Sequence, residues 1–333
     1  MAKTKEKTPT DLTKAFDDTY GWLGDIRDEV QRFIWGQKRV VDLMLTTLLS
    51  GGHMLLIGLP GLGKTRLVSV TGTVLGLETG RIQCTPDLMP ADITGSEILA
   101  QDEDGNRHFK FVKGPVFCQF LMADEINRAS PRTQSALLQA MQEYTVTVGG
   151  HHHALPQPFH VMATQNPLEQ EGTYPLPEAQ LDRFLMQINV TYPELADEKD
   201  IVCKTTTVAE AKPMTLANPQ DLIDAQALVR QMPIGENVID AILDIVRRGR
   251  PEQSDIPEVR EYVSWGPGPR AGQAFMLAAR AAALVDGRHA PSLDDVVTLA
   301  EPILQHRMAL NFPAQTRGVT MRQIIEKICE KYR

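Results

Sequence analysis

The sequence predicts an α/β fold, a largely parallel sheet covered by helices and followed by an all-helical second part. Three observations predict it. Short apolar, strand-like runs alternate with helical patterns from about Ala15 to Asn189. One of those runs ends in a glycine-rich loop, Gly58-Leu59-Pro60-Gly61-Leu62-Gly63-Lys64-Thr65, that leads directly into a helical stretch. From about Pro213 onward only helix-period patterns continue.

In chain order, residues 1–14 read as a flexible tail: Met1 to Lys7 is charged and has no hydrophobic segment behind it, so no signal peptide is expected. Residues 15–210 are expected to form the sheet-bearing core and 211–333 a helical domain. His53–Ile57 is a short buried strand entering the loop, and Arg66-Leu67-Val68-Ser69-Val70 opens the helix that leaves it. Further strands are expected at Arg81–Cys84, Phe117–Ala123, Phe159–Thr164 and Leu185–Val190. Between them Thr133–Glu143 places Leu137, Leu138 and Met141 on one helical face. Two insertions read as β-hairpins. Gly95–Leu99 and Arg107–Val112 flank the turn-rich Asp102–Asn106, and Thr145–Val148 turns at Gly149-Gly150 to return through His151–Leu155. Beyond Pro213, Leu222, Ala225, Leu228 and Val229 mark one amphipathic helix and Val238, Ile242, Ile245 and Val246 another. Pro291-Ser292-Leu293-Asp294-Asp295 reads as a capped helix start.

A net charge of −8 argues against nucleic acid as a partner. Cys84, Cys118, Cys203 and Cys329 are scattered without a C-x-x-C pair, which fits a reducing cytoplasm rather than a disulfide framework. The apolar run Val40–Leu49 is short and broken by Asp42, so no membrane insertion is expected. Three consecutive histidines, His151 to His153, alternate faces on a strand and lack a partner at ligand spacing, so they read as a polar hairpin arm.

The loop carries the chemistry. Its spacing, G-x-x-x-x-G-K-T after a strand, is a nucleoside-triphosphate signature. Gly58, Pro60, Gly61, Leu62 and Gly63 let backbone N–H groups converge on phosphate oxygens at the helix N-terminus. Lys64 reaches toward the β- and γ-phosphates, Thr65 offers its hydroxyl to Mg²⁺, and Arg66 follows in the first turn. A second motif, Val116 to Glu125, is an apolar strand ending in two adjacent carboxylates. Asp124 is placed to hold Mg²⁺, and Glu125 to take a proton from attacking water. Asn166, in Ala163-Thr164-Gln165-Asn166-Pro167, is placed to position that water or to form a turn before Pro167. Arg183, between Asp182 and Phe184, is either an ion-pair partner or a finger acting in a neighbouring subunit. Arg128 and Arg132 are secondary finger candidates.

These motifs together resemble the MoxR family of AAA+ ATPases over roughly residues 20–333. Gly58–Thr65 is similar to its Walker A element, Phe120–Glu125 with Ile126-Asn127-Arg128-Ala129 to its Walker B extension, and Ala163–Pro167 to its sensor 1. Leu181-Asp182-Arg183-Phe184 resembles the arginine-finger segment. Gly268-Pro269-Arg270-Ala271 resembles sensor 2, which makes Arg270 the nucleotide-contacting arginine of the lid. Trp35-Gly36-Gln37 resembles the loop that seats the adenine, with Trp35 where an aliphatic residue is more usual. The resemblance implies an αβα nucleotide-binding core with a helical lid, ATP and Mg²⁺ as ligands, and a homo-oligomeric, hexameric ring. It also implies chaperone-like remodelling of client complexes, in maturation or metal-cofactor insertion, alongside a von Willebrand factor A domain partner. It identifies the two hairpins as inserts that approach the ring's pore. Two alternatives share the core motifs, a nucleic-acid-translocating AAA+ motor and a magnesium-chelatase-like ATPase subunit.

Overall fold

The computed structural model describes residues 9–102, 106–168, 172–206 and 212–333. In chain order come α1 (Pro9–Gln31), α2 (Lys38–Leu49), β1 (Met54–Gly58), α3 (Lys64–Val74), β2 (Thr79–Gln83), α4 (Pro90–Thr94), β3 (Gly95–Gln101) and β4 (Arg107–Lys113). Next are β5 (Phe120–Asp124), α5 (Pro131–Glu143), β6 (Thr145–Val148), β7 (His151–Ala154), β8 (His160–Gln165), α6 (Glu178–Leu181), β9 (Met186–Val190) and α7 (Leu195–Thr205). The chain continues through α8 (Pro219–Gln231), α9 (Glu236–Arg248), α10 (Pro257–Tyr262), β10 (Val263–Trp265), α11 (Pro269–Val285), α12 (Leu293–Leu304), β11 (Ala309–Leu310), α13 (Phe312–Thr316) and α14 (Met321–Cys329).

Compactness divides the chain into two units. One comprises Val30–Val40 and Gly51–Gln220; the other gathers α1 through Glu29, Val41–Ser50 and Asp221–Arg333. The first unit is built on a five-stranded sheet in the order β2-β5-β8-β1-β9, parallel throughout. Parallel strands covered on both faces need apolar residues at nearly every position. Met54-Leu55-Leu56, Phe120–Ala123 and Val161–Ala163 are accordingly all buried. Each expected strand is present, shifted by a few residues at its ends. The close fit of α3 onto this sheet explains Gly72, where a Cβ would come 2.1 Å from Thr79 Cγ2. Both expected hairpins form, β3 with β4 and β6 with β7, and each is antiparallel. Part of the first turn, 103–105, lies outside the described residues.

In the second unit α1 begins at Pro9, inside the stretch expected to be a 1–14 tail. Phe16, Leu23, Ile26 and Val30 recur at helical spacing and are buried, which is why a helix persists there. The helix groups with the C-terminal part through local contacts: the Tyr20 ring covers Gly287, and Phe16 lies 5.8 Å from the His289 ring. Gln226 Nε2 donates to the Leu48 carbonyl of α2 at 2.8 Å. This grouping differs from the expected 15–210 body. The capped start at Ser292 is found, with Ser292 and Asp295 satisfying each other's backbone N–H. One expectation of purely helical structure is corrected: β10 and β11 pair as a small antiparallel ribbon, too short and irregular to show as a period-2 pattern. Among the described residues no helix is long and apolar enough to cross a membrane, and the four cysteines are free.

Candidate functional site

The site lies within the sheet-bearing unit, at the carboxyl ends of its strands, where a parallel sheet gathers the loops leaving neighbouring strands. β1 delivers the glycine loop. Gly61 and Gly63 have φ of 82° and 73°, in the left-handed region that a side chain would strain. Gly58 is needed for another reason, since a Cβ there would come within 2.9 Å of the Val190 carbonyl oxygen on β9. Gly63 caps α3, so the helix N-terminus faces the loop. The Lys64 ammonium donates to the carbonyls of Gly58 and Leu59. Partial burial pushes its pKa down, opposed by the carboxylates of Asp124 and Glu125. Thr65 is exposed in the first turn of α3.

β5 ends at Asp124, and Glu125 then adopts φ 55° and ψ 51°, a left-handed conformation unusual for a residue with a side chain. Thr164 on the adjacent β8 bolts this corner. Its hydroxyl donates to Asp124 Oδ1 at 2.6 Å and accepts the Glu125 backbone N–H at 2.9 Å. From β2, Arg81 donates to Asp124 Oδ2 at 2.8 Å and Gln83 Nε2 donates to Glu125 Oε2 at 3.0 Å. Arg128 pairs with the same Glu125 oxygen at 3.1 Å.

Beside the loop, a cavity of about 420 Å³ is lined by Ile34, Trp35, Gln37, Leu62, Arg66 and Tyr192 among others, a size suited to a small organic ligand. Gln37 Nε2 donates to the Leu62 carbonyl at 2.9 Å, tying the Trp35-Gly36-Gln37 turn to the glycine loop. Gly36 has φ 70°, and a Cβ there would strike Asp197. The Trp35 indole lies under the Arg66 guanidinium at 5.3 Å and the Lys204 ammonium at 5.6 Å, so this aromatic departure is packed into the wall.

The expected residues thus separate into groups. Gly58 to Arg66, Asp124, Glu125, Gly36 and Gln37 sit around one sheet edge and its adjoining cavity. Asn166 follows β8 at the same edge, 6% exposed, with its Oδ1 accepting the Leu168 N–H in a local turn. Arg183 is elsewhere: it precedes β9, whose Met186 pairs with Met54 and whose Val190 pairs with Gly58. At about 3.3 Å per residue, β9 alone separates Arg183 from the loop by about 13 Å. Its side chain makes no ion pair among the described residues, and the same holds for exposed Arg132. Arg270 is exposed in the first turn of α11, in the helical unit. No cluster of three metal-ligating side chains occurs among the described residues, His151–His153 included. Sequence reading missed Thr164, Arg81 and Gln83 as site residues. Their signal was strand adjacency, since β2 and β8 flank β5 on either side.

The chain resembles known proteins over most of its length. Residues 53–186 match the model of the ATPase family associated with various cellular activities, and residues 258–328 match the AAA lid domain. Chaperone MoxR1 of Mycobacterium tuberculosis is 42% identical over 304 residues, covering 91% of this chain and 79% of that one. The YeaC protein of Bacillus subtilis is 39% identical over 315 residues, 94% of each chain. Protein MoxR of Paracoccus denitrificans is 29% identical over 88% of this chain and 90% of its own. A crystal structure of a protein from Cytophaga hutchinsonii assigned as an ATPase superposes with a TM-score of 0.89 at 36% identity, covering 97% of this chain and 96% of that one. With a parallel five-stranded sheet, a glycine loop at the carboxyl ends of its strands and a lid-domain match over residues 258–328, this chain belongs to the MoxR family of AAA+ ATPases and is an ATP hydrolase.

Proposed function

We propose that the chain hydrolyses Mg²⁺-ATP at the edge formed by β1, β5 and β8 and uses the energy to remodel a client complex. The observation that carries this reading is the convergence of Lys64, Asp124 and Glu125, the last two locked together by Thr164. In this reading the loop amides and Lys64 hold the phosphates, while the cavity behind Gln37 and Trp35 takes the adenine. The hard oxygen donors of Thr65 and Asp124 fit Mg²⁺, since one is exposed in the loop helix and the other has its carboxylate oriented by a hydroxyl. Bound there, the ion would neutralise charge developing on the β- and γ-phosphoryl oxygens. Glu125 takes the proton of the attacking water, and Asn166 orients that water from the end of β8. Arg183 lies beyond the end of β9 that is far from its own loop, so in this reading it serves the site of a neighbouring subunit, in a ring that we take to be hexameric. Arg128, paired to Glu125, is a weaker finger candidate. Arg270 would let the helical lid sense the nucleotide, with the functional division falling near residues 210 and 211. A client fits the chaperone designation of the Mycobacterium tuberculosis relative, and a von Willebrand factor A partner and a cytoplasmic setting are proposed on the family resemblance alone.

Glu125→Gln is the test. It should bind ATP as the wild type does while turnover falls about 10²- to 10⁴-fold, the range for loss of a general base. Near-wild-type steady-state hydrolysis by this variant would remove Glu125 from the role.

A further inference from the structure

Both carboxylates at the site are held by one strand that the hydrolysis scheme does not use. Arg81 and Gln83 lie two apart on β2, so they share a face of the sheet. The register sets Gln83 opposite Asp124 and Arg81 opposite Met122, which makes Arg81 a diagonal neighbour of Asp124. The Arg81 guanidinium makes two bonds from the same nitrogen, to Asp124 Oδ2 at 2.8 Å and to Gln83 Oε1 at 2.9 Å. With Oε1 so committed, the Gln83 amide must turn its Nε2 toward Glu125, where it donates to Oε2 at 3.0 Å. Arg81 therefore touches one carboxylate directly and the other through Gln83. Thr164 takes the remaining Asp124 oxygen, and Arg128 adds a second donor on Glu125 Oε2.

Resting on the reading of Asp124 as the metal-organising carboxylate and Glu125 as the base, we infer that Arg81 is a positioning residue that couples the two. Arg81 occupies Asp124 Oδ2, and for Asp124 to organise a divalent cation through that oxygen Arg81 would have to yield it. When Arg81 yields, Gln83 loses the bond that fixes its amide, and its hold on Glu125 weakens. The base is thus kept engaged until the metal is in place, and nucleotide alone leaves the latch shut. Arg81 is about half exposed, so its charge is screened and the contact is easily exchanged.

The experiment titrates Mg²⁺ at fixed fluorescent non-hydrolysable ATP analogue and reads analogue binding, with steady-state hydrolysis measured in parallel. Arg81→Gln removes the competing charge. Its Mg²⁺ midpoint should fall about two- to fivefold, the range for one partly exposed ion pair, with kcat raised because Gln83 no longer holds Glu125 firmly. Arg81→Lys keeps the charge on Asp124 but offers a compact ammonium in place of the planar fork. It should restore the wild-type midpoint while leaving Gln83 less firmly oriented, so its kcat should follow Arg81→Gln. Gln83→Ala should raise kcat without moving the midpoint. A midpoint that is the same in wild type and Arg81→Gln, with circular dichroism unchanged, overturns the latch. If analogue binding by the wild type does not depend on Mg²⁺ at all, the metal reading itself fails, and that outcome is distinct from failure of the latch.

Discussion

The two ends of the central sheet are made of the same strands and do opposite things with polar groups. At the carboxyl edge the ends of β1, β5 and β8 gather Lys64, Asp124 and Glu125, charged and partly open to water, around the buried hydroxyl of Thr164. At the other edge the same strands begin with His53 and His160, both buried, their rings 6.4 Å apart. His53 accepts the Val161 N–H at Nδ1 and donates from Nε2 to the Met141 carbonyl, each at 3.0 Å. His160 donates from Nδ1 to the Gly52 carbonyl at 2.8 Å. Burial pushes their pKa values down to about 3 and about 4. The lesson is one of satisfaction. At the foot the two buried histidines are held by backbone partners, so they stay neutral and structural. At the top the charges are held by side chains that a ligand can replace. Arg183 stands at the foot, which is why we assign it to a neighbour's site.

Four changes would sharpen or break this contrast. Arg183→Ala should bind ATP normally yet lose about 10³- to 10⁵-fold in turnover, as measured by phosphate release. Lys64→Ala should weaken ATP binding about ten- to a hundredfold in equilibrium titration, the worth of a hydrogen bond to a charged group. Thr164→Val leaves Asp124 Oδ1 and the Glu125 N–H without their partner; kcat should drop about tenfold and stability by about 1–3 kcal/mol in urea unfolding. The histidines give the smallest effect near neutrality. Their folded pKa values lie below the unfolded 6.5, so protons bind preferentially to the unfolded chain. Their stabilising contribution is complete above pH 6.5 and is lost as pH falls toward 4, by up to about 1.4 kcal/mol per pH unit for each histidine. Thermal midpoints that stay flat from pH 7 to pH 5 would contradict their neutral burial.

The top of the sheet was the more legible end. Its loop is specified by local backbone demands, positive φ at Gly61 and Gly63 and close approach at Gly58, which leave glycines at readable spacing. Asp124 and Glu125 announce themselves by closing an apolar run. Thr164, Arg81 and Gln83 left no such trace, because their role exists only once β8 and β2 have paired with β5. The histidine pair was equally silent, since His53 and His160 are far apart in sequence and meet through strand order alone. Of the expected 1–14 tail, residues 1–8 lie outside the described residues, and 9–14 belong to α1, whose opening sequence is mostly polar and whose first buried apolar residue from residue 12 onward is Phe16.

The central claim is that one end of the sheet supplies a site and the other end completes a neighbour's. Mixing Arg183→Ala with Lys64→Ala tests it directly. Each variant alone should be nearly inactive, one lacking the finger and the other lacking phosphate binding. In mixed rings the Lys64→Ala subunits donate an intact Arg183 to Arg183→Ala subunits that still bind ATP, so phosphate release should recover in part and rise with protein concentration. Mixed assemblies seen by light scattering with no recovery of activity would contradict the account and leave Arg183 a structural residue of its own chain.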